Sequence, residues 1–106
     1  MSQRMRALLQ ELKVGAEAIY GGRLKGLYLY GSYARHEEDQ ESDVDVLVVL
    51  DDFQHYAAEV DRMGVLVSTL SLKYGVSVSR VFVRERDWRL GETPFLANVR
   101  EEALAV

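Results

Sequence analysis

The sequence predicts an α/β fold in which a small mixed sheet is flanked by helices, in the order α-β-α-β-α-β-α. Apolar residues recur at helical spacing in three segments, and three short runs are rich in Val, Leu and aromatic residues. Glycines or polar clusters separate these segments. Because 106 residues without an internal repeat can build one core but not two, we expect a single domain over residues 1–106.

The first two elements are an amphipathic helix over residues 3–20 and a strand over residues 24–30. Gly21 ends the helix, which we interpret as a packing helix. The strand is a short apolar and aromatic run, and we interpret Tyr28 and Tyr30 as half-buried packing residues rather than base-stacking groups. The apolar residues at helical spacing in the helix are Met5, Leu8, Leu9, Leu12, Ala16 and Ile19.

The middle of the chain predicts a short helix, a polar loop, a buried strand and a long helix. The short helix begins at Ser32, and the strongly polar loop follows it. Residues 44–50 are continuous in Val and Leu, which is typical of a central strand covered on both faces. Apolar residues at alternating steps of four and three predict a helix over residues 53–74, which Gly75 ends.

The last third of the chain predicts one more strand and a final helix. Residues 76–83 alternate and are rich in β-branched side chains, which favours a strand. Thr93 and Pro94 form an N-cap and a first helical position, and the helix extends to about residue 104. Between this strand and this helix lies a basic and aromatic cluster formed by Arg84, Arg86, Trp88 and Arg89. We interpret it as a solvated strand end with a packed Trp, rather than as a nucleotide-binding or partner-binding surface.

The composition excludes several classes of protein. With 13 basic and 17 acidic residues, the chain lacks the positive field expected of a protein that holds long nucleic acid by itself. It contains no cysteine, which excludes disulfides, thiolate zinc sites and a cysteine nucleophile. No run approaches the length of a membrane span, and the first residues lead into an amphipathic helix rather than a signal sequence. We therefore expect a cytoplasmic protein without membrane contact.

Two carboxylates stand at the entry of the second strand. Asp43 and Asp45 are two residues apart, so side-chain alternation places both on one face with Cα atoms roughly 6.5–7 Å apart. Hard oxygen ligands without Cys or His suit Mg²⁺ or Mn²⁺ rather than zinc. Since Mg²⁺ usually completes its shell with water and substrate phosphate, a phosphate-containing substrate is the expected companion.

A glycine-serine pair that precedes Asp43 by ten intervening residues fits such a phosphate. Gly31 has no Cβ, so the backbone can turn sharply and approach a phosphate closely. Ser32 offers a hydroxyl and a backbone N–H at the predicted helix start, where unpaired amides favour an anion. The guanidinium of Arg35, one turn further, could reach triphosphate oxygens or pair with the adjacent acidic residues.

The Gly-Ser pair, the ten residues after it and the Asp-Val-Asp triplet resemble the signature of the minimal nucleotidyltransferases of the DNA polymerase beta superfamily. The specific similarity covers residues 28–50, which include the segments Gly-Ser-Tyr-Ala-Arg and Ser-Asp-Val-Asp. The resemblance implies a polymerase-beta-type fold. It also implies a nucleotide site at Gly31, Ser32 and Arg35, and it makes Asp43 and Asp45 the catalytic and metal-binding residues.

The resemblance implies a Mg²⁺-dependent transfer of NMP, expected to be AMP from ATP, onto an acceptor with release of pyrophosphate. Stand-alone members of this type resemble antitoxins that are paired with a HEPN-domain toxin, and the implied acceptor is a tyrosine of that toxin. We therefore expect ATP and a HEPN-domain protein as partners, in a type VII-like toxin-antitoxin system. Whether the chain forms a homo-oligomer or a hetero-oligomer stays open.

The sequence departs from the family pattern at one point. Family members carry a third acidic residue on a strand beside the aspartates, where it completes the metal site and accepts the proton of the attacking hydroxyl. This chain has Ser77 and Ser79 there, so Glu85, Asp87 or a partner group would have to replace it. The alternative function is therefore a weak or inactive nucleotide-binding antitoxin that neutralises its partner by binding. A metal-dependent glycosyltransferase is disfavoured, because the chain has no room for a nucleotide-sugar domain.

Overall fold

A mixed four-stranded sheet lies between two layers of helices in the computed structural model, which describes all 106 residues. The strand order is β3-β2-β1-β4; β2 and β3 are parallel and the other pairs are antiparallel. This arrangement confirms the predicted fold class. The elements are α1 (Gln3–Tyr20), β1 (Leu24–Tyr30), β2 (Val44–Leu50), α2 (Tyr56–Arg62), α3 (Gly64–Tyr74), β3 (Val78–Arg84), α4 (Glu85–Leu90), α5 (Pro94–Glu102) and β4 (Leu104–Ala105).

The central strand β2 is buried on both faces, as its unbroken Val and Leu run predicts. One face packs against a core of 19 buried residues formed with α1, α2 and α3. The opposite face, which carries Leu47 and Val49, packs under α4 and α5. None of the helices combines the length and the apolar character that a membrane crossing requires.

The predicted short helix after the first strand does not form. Residues 31–36 instead make a series of turns, in which the Arg35 amide donates to the Gly31 carbonyl at 3.2 Å and the Glu37 amide donates to the Ser32 carbonyl at 2.9 Å. His36 adopts a φ of 59°, and this left-handed conformation stops helical continuation.

The predicted long helix over residues 53–74 is two helices, because the chain kinks at Met63 between α2 and α3. The Met63 side chain is fully buried, and the kink turns it into the core. Arg80 Nη2 donates to the Val60 carbonyl at 2.9 Å and so satisfies an oxygen near the end of α2. The spacing of apolar residues continues through the kink, which is why the sequence pattern does not reveal it.

Two further elements were not predicted. Residues 85–90 form α4, so the interpretation of the basic and aromatic cluster around Trp88 as a strand end is wrong. The prediction that Trp88 packs is confirmed, because its ring lies against the sheet. The ring of Trp88 lies 4.8 Å from that of Tyr28, measured between centroids. After α5 the chain forms β4, a two-residue strand that pairs with β1. Helix α2 begins at Tyr56, three residues after the predicted start, and the remaining bounds agree with the prediction within about two residues.

A buried carboxylate ties α2 to the rest of the fold. Glu59 is 4% exposed and is the one buried charged residue. It accepts a hydrogen bond from the Tyr20 hydroxyl at 3.0 Å, and its two oxygens lie 2.9 and 3.1 Å from Arg62 Nη1. Arg23 Nη2 is 3.8 Å away. These partners offset the cost of removing the charge from water.

We expect Glu59→Ala to lower the free energy of unfolding by about 2 kcal/mol, because it leaves the buried Tyr20 hydroxyl without its side-chain acceptor. Larger losses are not expected, since Arg62 is half-exposed and can turn to water. Chemical denaturation measures the change. Asp61→Ala, an exposed acid on the same helix, is the control and should change stability by less than about 0.5 kcal/mol. Equal effects of the two substitutions would contradict this account.

Candidate active site

The antiparallel pairing of β1 and β2 brings the predicted glycine and aspartate together. Tyr30, the last residue of β1, pairs with Asp45 near the start of β2, and Gly31 follows directly. Gly31 has a φ of +77°, which is the left-handed region that favours glycine. A Cβ atom there would overlap Asp45 Oδ2 and lie 3.2 Å from Asp45 Cγ. Both the left-handed turn and the close approach of the carboxylate therefore favour glycine at this position.

The polar loop that leads to Asp43 contains a side-chain-stabilised turn. Asp39 Oδ1 accepts a hydrogen bond from the Glu41 amide at 2.8 Å, and Ser42 Oγ accepts one from the Asp39 amide at 2.9 Å. Such Asx turns are a common use of aspartate and serine in loops. Sequence reasoning gave Asp39 and Ser42 no role. Together they return the chain to the start of β2 and so help to position Asp43.

The two aspartates carry like charges that act on each other. Asp43 is exposed and Asp45 is partly buried. Burial raises the pKa of Asp45 above its usual range, the charge of Asp43 raises it further, and the guanidinium of Arg35 opposes the shift. Clustered negative charge in a partly buried site is the situation that a bound cation relieves. A cation bound between the two carboxylates would offset this repulsion.

The donor set at this position fits Mg²⁺ or Mn²⁺. No group of three or more His, Asp or Glu side chains is arranged to hold a metal, so the protein offers the two aspartates alone. Two carboxylates agree with the usual coordination of Mg²⁺, which takes one or two carboxylates and completes its octahedral shell with water and phosphate oxygens. The metal-binding roles of Asp43 and Asp45 stay predictions.

Tyr30 lies on the same face of the sheet as Asp45 and packs under α5. Its ring stands edge-on to that of Phe95, with 5.7 Å between the centroids. Burial, followed by the charge of Asp45, raises the pKa of Tyr30 to about 12. Tyr30 is therefore an uncharged hydroxyl at neutral pH. Together with the contact between Tyr28 and Trp88, this confirms that both tyrosines are packing residues.

Arg35 is held by two carboxylates. Its Nε lies 3.1 Å from Glu37 Oε2, and its Nη1 lies 2.8 Å from Glu102 Oε2. The sequence left open whether Arg35 reaches triphosphate oxygens or pairs with the adjacent acidic residues. The structure shows an ion pair with the adjacent Glu37 and a second ion pair with the distant Glu102. Glu102 stands at the end of α5, and sequence reasoning missed it because nothing in its surroundings marks it as a site residue.

The parallel register of β2 and β3 puts serines beside the aspartates. Ser79 is the β3 partner of Asp45, and the Ser77 carbonyl accepts a hydrogen bond from the Val44 amide at 2.8 Å. Ser79 thus stands on the neighbouring strand and Ser77 directly before it, at the positions where the family pattern places a third carboxylate. Serine can orient water, but it cannot act as a carboxylate base.

Neither Glu85 nor Asp87 can replace the third carboxylate within this chain. Both follow Arg84, which pairs with Leu50 at the opposite end of β2 from Asp45. Glu85 is six residue steps along the chain from Ser79, the partner of Asp45, which is roughly 20 Å in an extended strand. The suggestion that one of these acids completes the site is therefore wrong.

A polar groove of about 460 Å³ opens beside Asp43, between the loop before β2 and the segment that joins α3 to β3. Ser42, Ser71, Gly75 and Ser77 are among the residues that line it. Its volume lies in the range of ligand pockets, and one of the two aspartates is on its wall. Asp43 is the one predicted site residue on its wall, because Asp45, Gly31, Ser32 and Arg35 do not line the groove.

Comparison with known proteins assigns the family. The nucleotidyltransferase domain family matches residues 8–102. "Putative protein adenylyltransferase MJ0604" of Methanocaldococcus jannaschii is 35% identical over 100 residues and covers 89% of each chain. "Putative protein adenylyltransferase MJ0141" of the same organism is 32% identical over 78 residues, which are 74% of this chain and 78% of the relative.

Two similar solved structures share the fold. The toxin-antitoxin complex MntA-HpeT, in a mutant form, has a chain with a TM-score of 0.58 and 20% identity, over 92% of this chain and 70% of that one. A toxin-antitoxin structure with AMP-PNP has a TM-score of 0.58 and 21% identity, over 90% and 70% of the two chains. At these identities the structures support the fold alone. Because the family match extends over almost the whole chain and includes the Gly-Ser loop and both aspartates, the protein belongs to the nucleotidyltransferase domain family and is a nucleotidyltransferase.

Proposed function

We propose that this nucleotidyltransferase transfers AMP from ATP to a tyrosine of a partner HEPN-domain toxin and thereby acts as an antitoxin. The observation that carries the proposal is the convergence of the Gly31 loop on Asp45, next to Asp43. The relatives named as protein adenylyltransferases support a protein acceptor. The fold neighbours in toxin-antitoxin complexes, one of them with AMP-PNP, support the partner class and the nucleotide.

The site residues have two roles, which are to bind the phosphates of ATP and to bind the metal. Asp43 and Asp45 would hold Mg²⁺, which would supply positive charge to offset that of the phosphates during attack on the α-phosphorus. Gly31 and the Ser32 hydroxyl contact the β and γ phosphates, and the absence of a side chain at Gly31 keeps the space in front of Asp45 open. Arg35 has five N–H donors, and those that its two carboxylate partners leave free bind phosphate oxygens.

In the transfer step the tyrosine oxygen of the partner bonds to the α-phosphorus of ATP. The bond between that phosphorus and the oxygen bridging to the β-phosphate breaks, and pyrophosphate leaves with the electron pair. The tyrosine proton goes to solvent water. A phenol with a pKa of about 10 gives up its proton far more easily than an aliphatic alcohol, so a site with serines instead of a third carboxylate suits this acceptor.

We expect Asp45→Asn to reduce AMP transfer by roughly 100-fold or more, because the metal loses a charged ligand that stabilises the transition state. Purified protein, ATP, Mg²⁺ and the co-purified partner are incubated, and the added AMP mass on the partner is followed by mass spectrometry. Asp61→Asn, on the exposed side of α2, is the matched control and should keep wild-type transfer. The absence of AMP on any protein with the wild type would overturn the proposal.

Removal of the metal should stop the same reaction. Asp43 and Asp45 offer oxygen ligands only, so excess EDTA should abolish AMP transfer and added Mg²⁺ or Mn²⁺ should restore it. The measurement is the initial rate of pyrophosphate release in the presence of the partner. Full activity in EDTA would exclude the assigned role of the aspartates.

Gly31→Ala should weaken ATP binding strongly and also lower stability by about 1–3 kcal/mol, because it strains a left-handed residue and places a methyl group against Asp45. Calorimetry measures the affinity for Mg²⁺-ATP, and thermal unfolding measures the stability. Gly22→Ala is the control, since Gly22 has open space around its Cβ position. An unchanged affinity in Gly31→Ala would show that the loop does not contact the nucleotide.

A second candidate function is an antitoxin that binds nucleotide and neutralises its partner by occlusion. The serines on the strand beside the aspartate pair favour it. The double variant Asp43→Asn, Asp45→Asn separates the two functions when it is co-expressed with the partner toxin. Full neutralisation by this variant indicates occlusion, whereas loss of neutralisation with intact complex formation indicates AMP transfer.

A further inference from the structure

The ion pair between Arg35 and Glu102 is a long-range polar link between the glycine loop and the last helix. The two residues are 67 positions apart in the chain, and their atoms Nη1 and Oε2 are 2.8 Å apart. The side chain of Glu102 is 22% exposed, whereas that of Arg35 is 45% exposed. The pair thus connects an exposed loop residue to a more sheltered carboxylate.

Tertiary structure fixes the position of Glu102 from both sides. Before it, Leu96 and Val99 of α5 are buried against the sheet. After it, β4 pairs with β1, and the Val106 amide donates to the Leu27 carbonyl at 2.9 Å. Because packing holds one flank and strand pairing holds the other, the carboxylate of Glu102 has a defined place that does not depend on the loop.

Arg35 has no comparable support of its own. It lies in the turns of residues 31–36, outside any regular element. Its local partner Glu37 has a side chain that is 66% exposed, and exposed pairs of neighbouring residues constrain a side chain weakly. The contact with Glu102 is therefore the one that ties the guanidinium to the folded core.

The charge of Glu102 also reaches the aspartate site. The carboxylate of Glu102 contributes to the raised pKa of Asp45. Its effect is smaller than those of burial and of the charge of Asp43, which raise this pKa, and of the charge of Arg35, which lowers it. Glu102 likewise contributes to the raised pKa of Tyr30, after the larger effects of burial, Asp45 and Tyr56. Geometry gives the same connection, because the Arg35 amide donates to the Gly31 carbonyl at 3.2 Å and Gly31 in turn meets the carboxylate of Asp45. The ion pair is therefore joined to the aspartate site through the glycine loop.

We propose that Glu102 is a positioning residue of the nucleotide site, which holds the Arg35 guanidinium so that its remaining N–H donors are available to the triphosphate. This inference rests on the proposed function and adds the residue that prepares Arg35 for binding. Holding the guanidinium before ATP arrives removes part of the ordering cost of binding. Glu102 then affects ATP affinity through Arg35 and leaves the transfer step itself largely unchanged.

Calorimetry of Mg²⁺-ATP binding tests the proposal without the partner. Glu102→Ala should weaken binding about five-fold, and Glu102→Gln, which keeps a hydrogen-bond acceptor but loses the charge, should fall between Glu102→Ala and the wild type. Glu101→Gln, an exposed neighbour at the end of the same helix, should bind ATP like the wild type. Thermal unfolding shows whether each variant is folded. If Glu102→Ala does not fold, the binding measurement on Glu102→Gln tests the proposal instead.

A double-variant cycle shows whether Glu102 acts through Arg35. Arg35→Gln should weaken binding, and adding Glu102→Gln to it should cause no further loss, because the residue that Glu102 positions is gone. In transfer assays with the partner, Glu102→Gln should raise the KM for ATP and keep kcat within about two-fold.

Three results would overturn the proposal: unchanged or tighter ATP binding in Glu102→Gln, additive losses in the double variant, or a fall in kcat without a change in KM. If the wild type itself takes up no ATP in magnesium buffer, the proposed function fails together with the role of Glu102. A failure of the positioning role alone leaves wild-type ATP binding intact, so the two failures are distinguishable.

Discussion

The pairing of β1 with β2 is the interaction on which the site depends. It places Tyr30 opposite Asp45, so that the next residue, Gly31, meets the aspartate carboxylate. The register is strongly specified, because Val46 packs in one core and Leu47 in the other. A slip by one residue would exchange the two faces of β2 and turn Asp45 away from α5. The large core thus fixes the geometry of the small polar site at its edge.

The site concentrates features that oppose stability. Gly31 takes a left-handed conformation, His36 does so without being glycine, and Asp45 is partly buried beside a second carboxylate. The surrounding structure can hold these groups because most of the buried apolar residues lie on the opposite face of the sheet, under α1, α2 and α3. Strain and clustered charge of this kind persist where the rest of a fold determines the local geometry.

The chain after β3 completes the site from the side opposite the large core. Helix α5 covers Tyr30, its last turn brings Glu102 to Arg35, and β4 then returns to the edge of β1. The register of β3 places Ser79 next to Asp45, so this chain has no third carboxylate on the neighbouring strand. The site therefore combines the local signature, which includes Arg35, with a glutamate from a distant part of the sequence.

The sequence by itself determined the elements whose signals are local. The Val and Leu run of residues 44–50, the capped helix from Pro94 and the spacing of Gly31 to Asp45 each report the immediate environment of their own residues. From these, the fold class and the residues that converge could be predicted. The family then follows from the same short stretch, because its pattern requires a turn and a strand entry at a fixed separation.

Only the tertiary structure decided the features that depend on distant neighbours. The kink at Met63 arises from packing into the core, and the turns after Gly31 replace a helix that the local sequence favoured. The place of Glu102 depends on how α5 crosses the sheet, and the exclusion of Glu85 depends on the direction of β3. A sequence pattern records which side chains prefer burial or a turn, whereas contacts between remote segments follow from packing and strand register, which no local pattern contains.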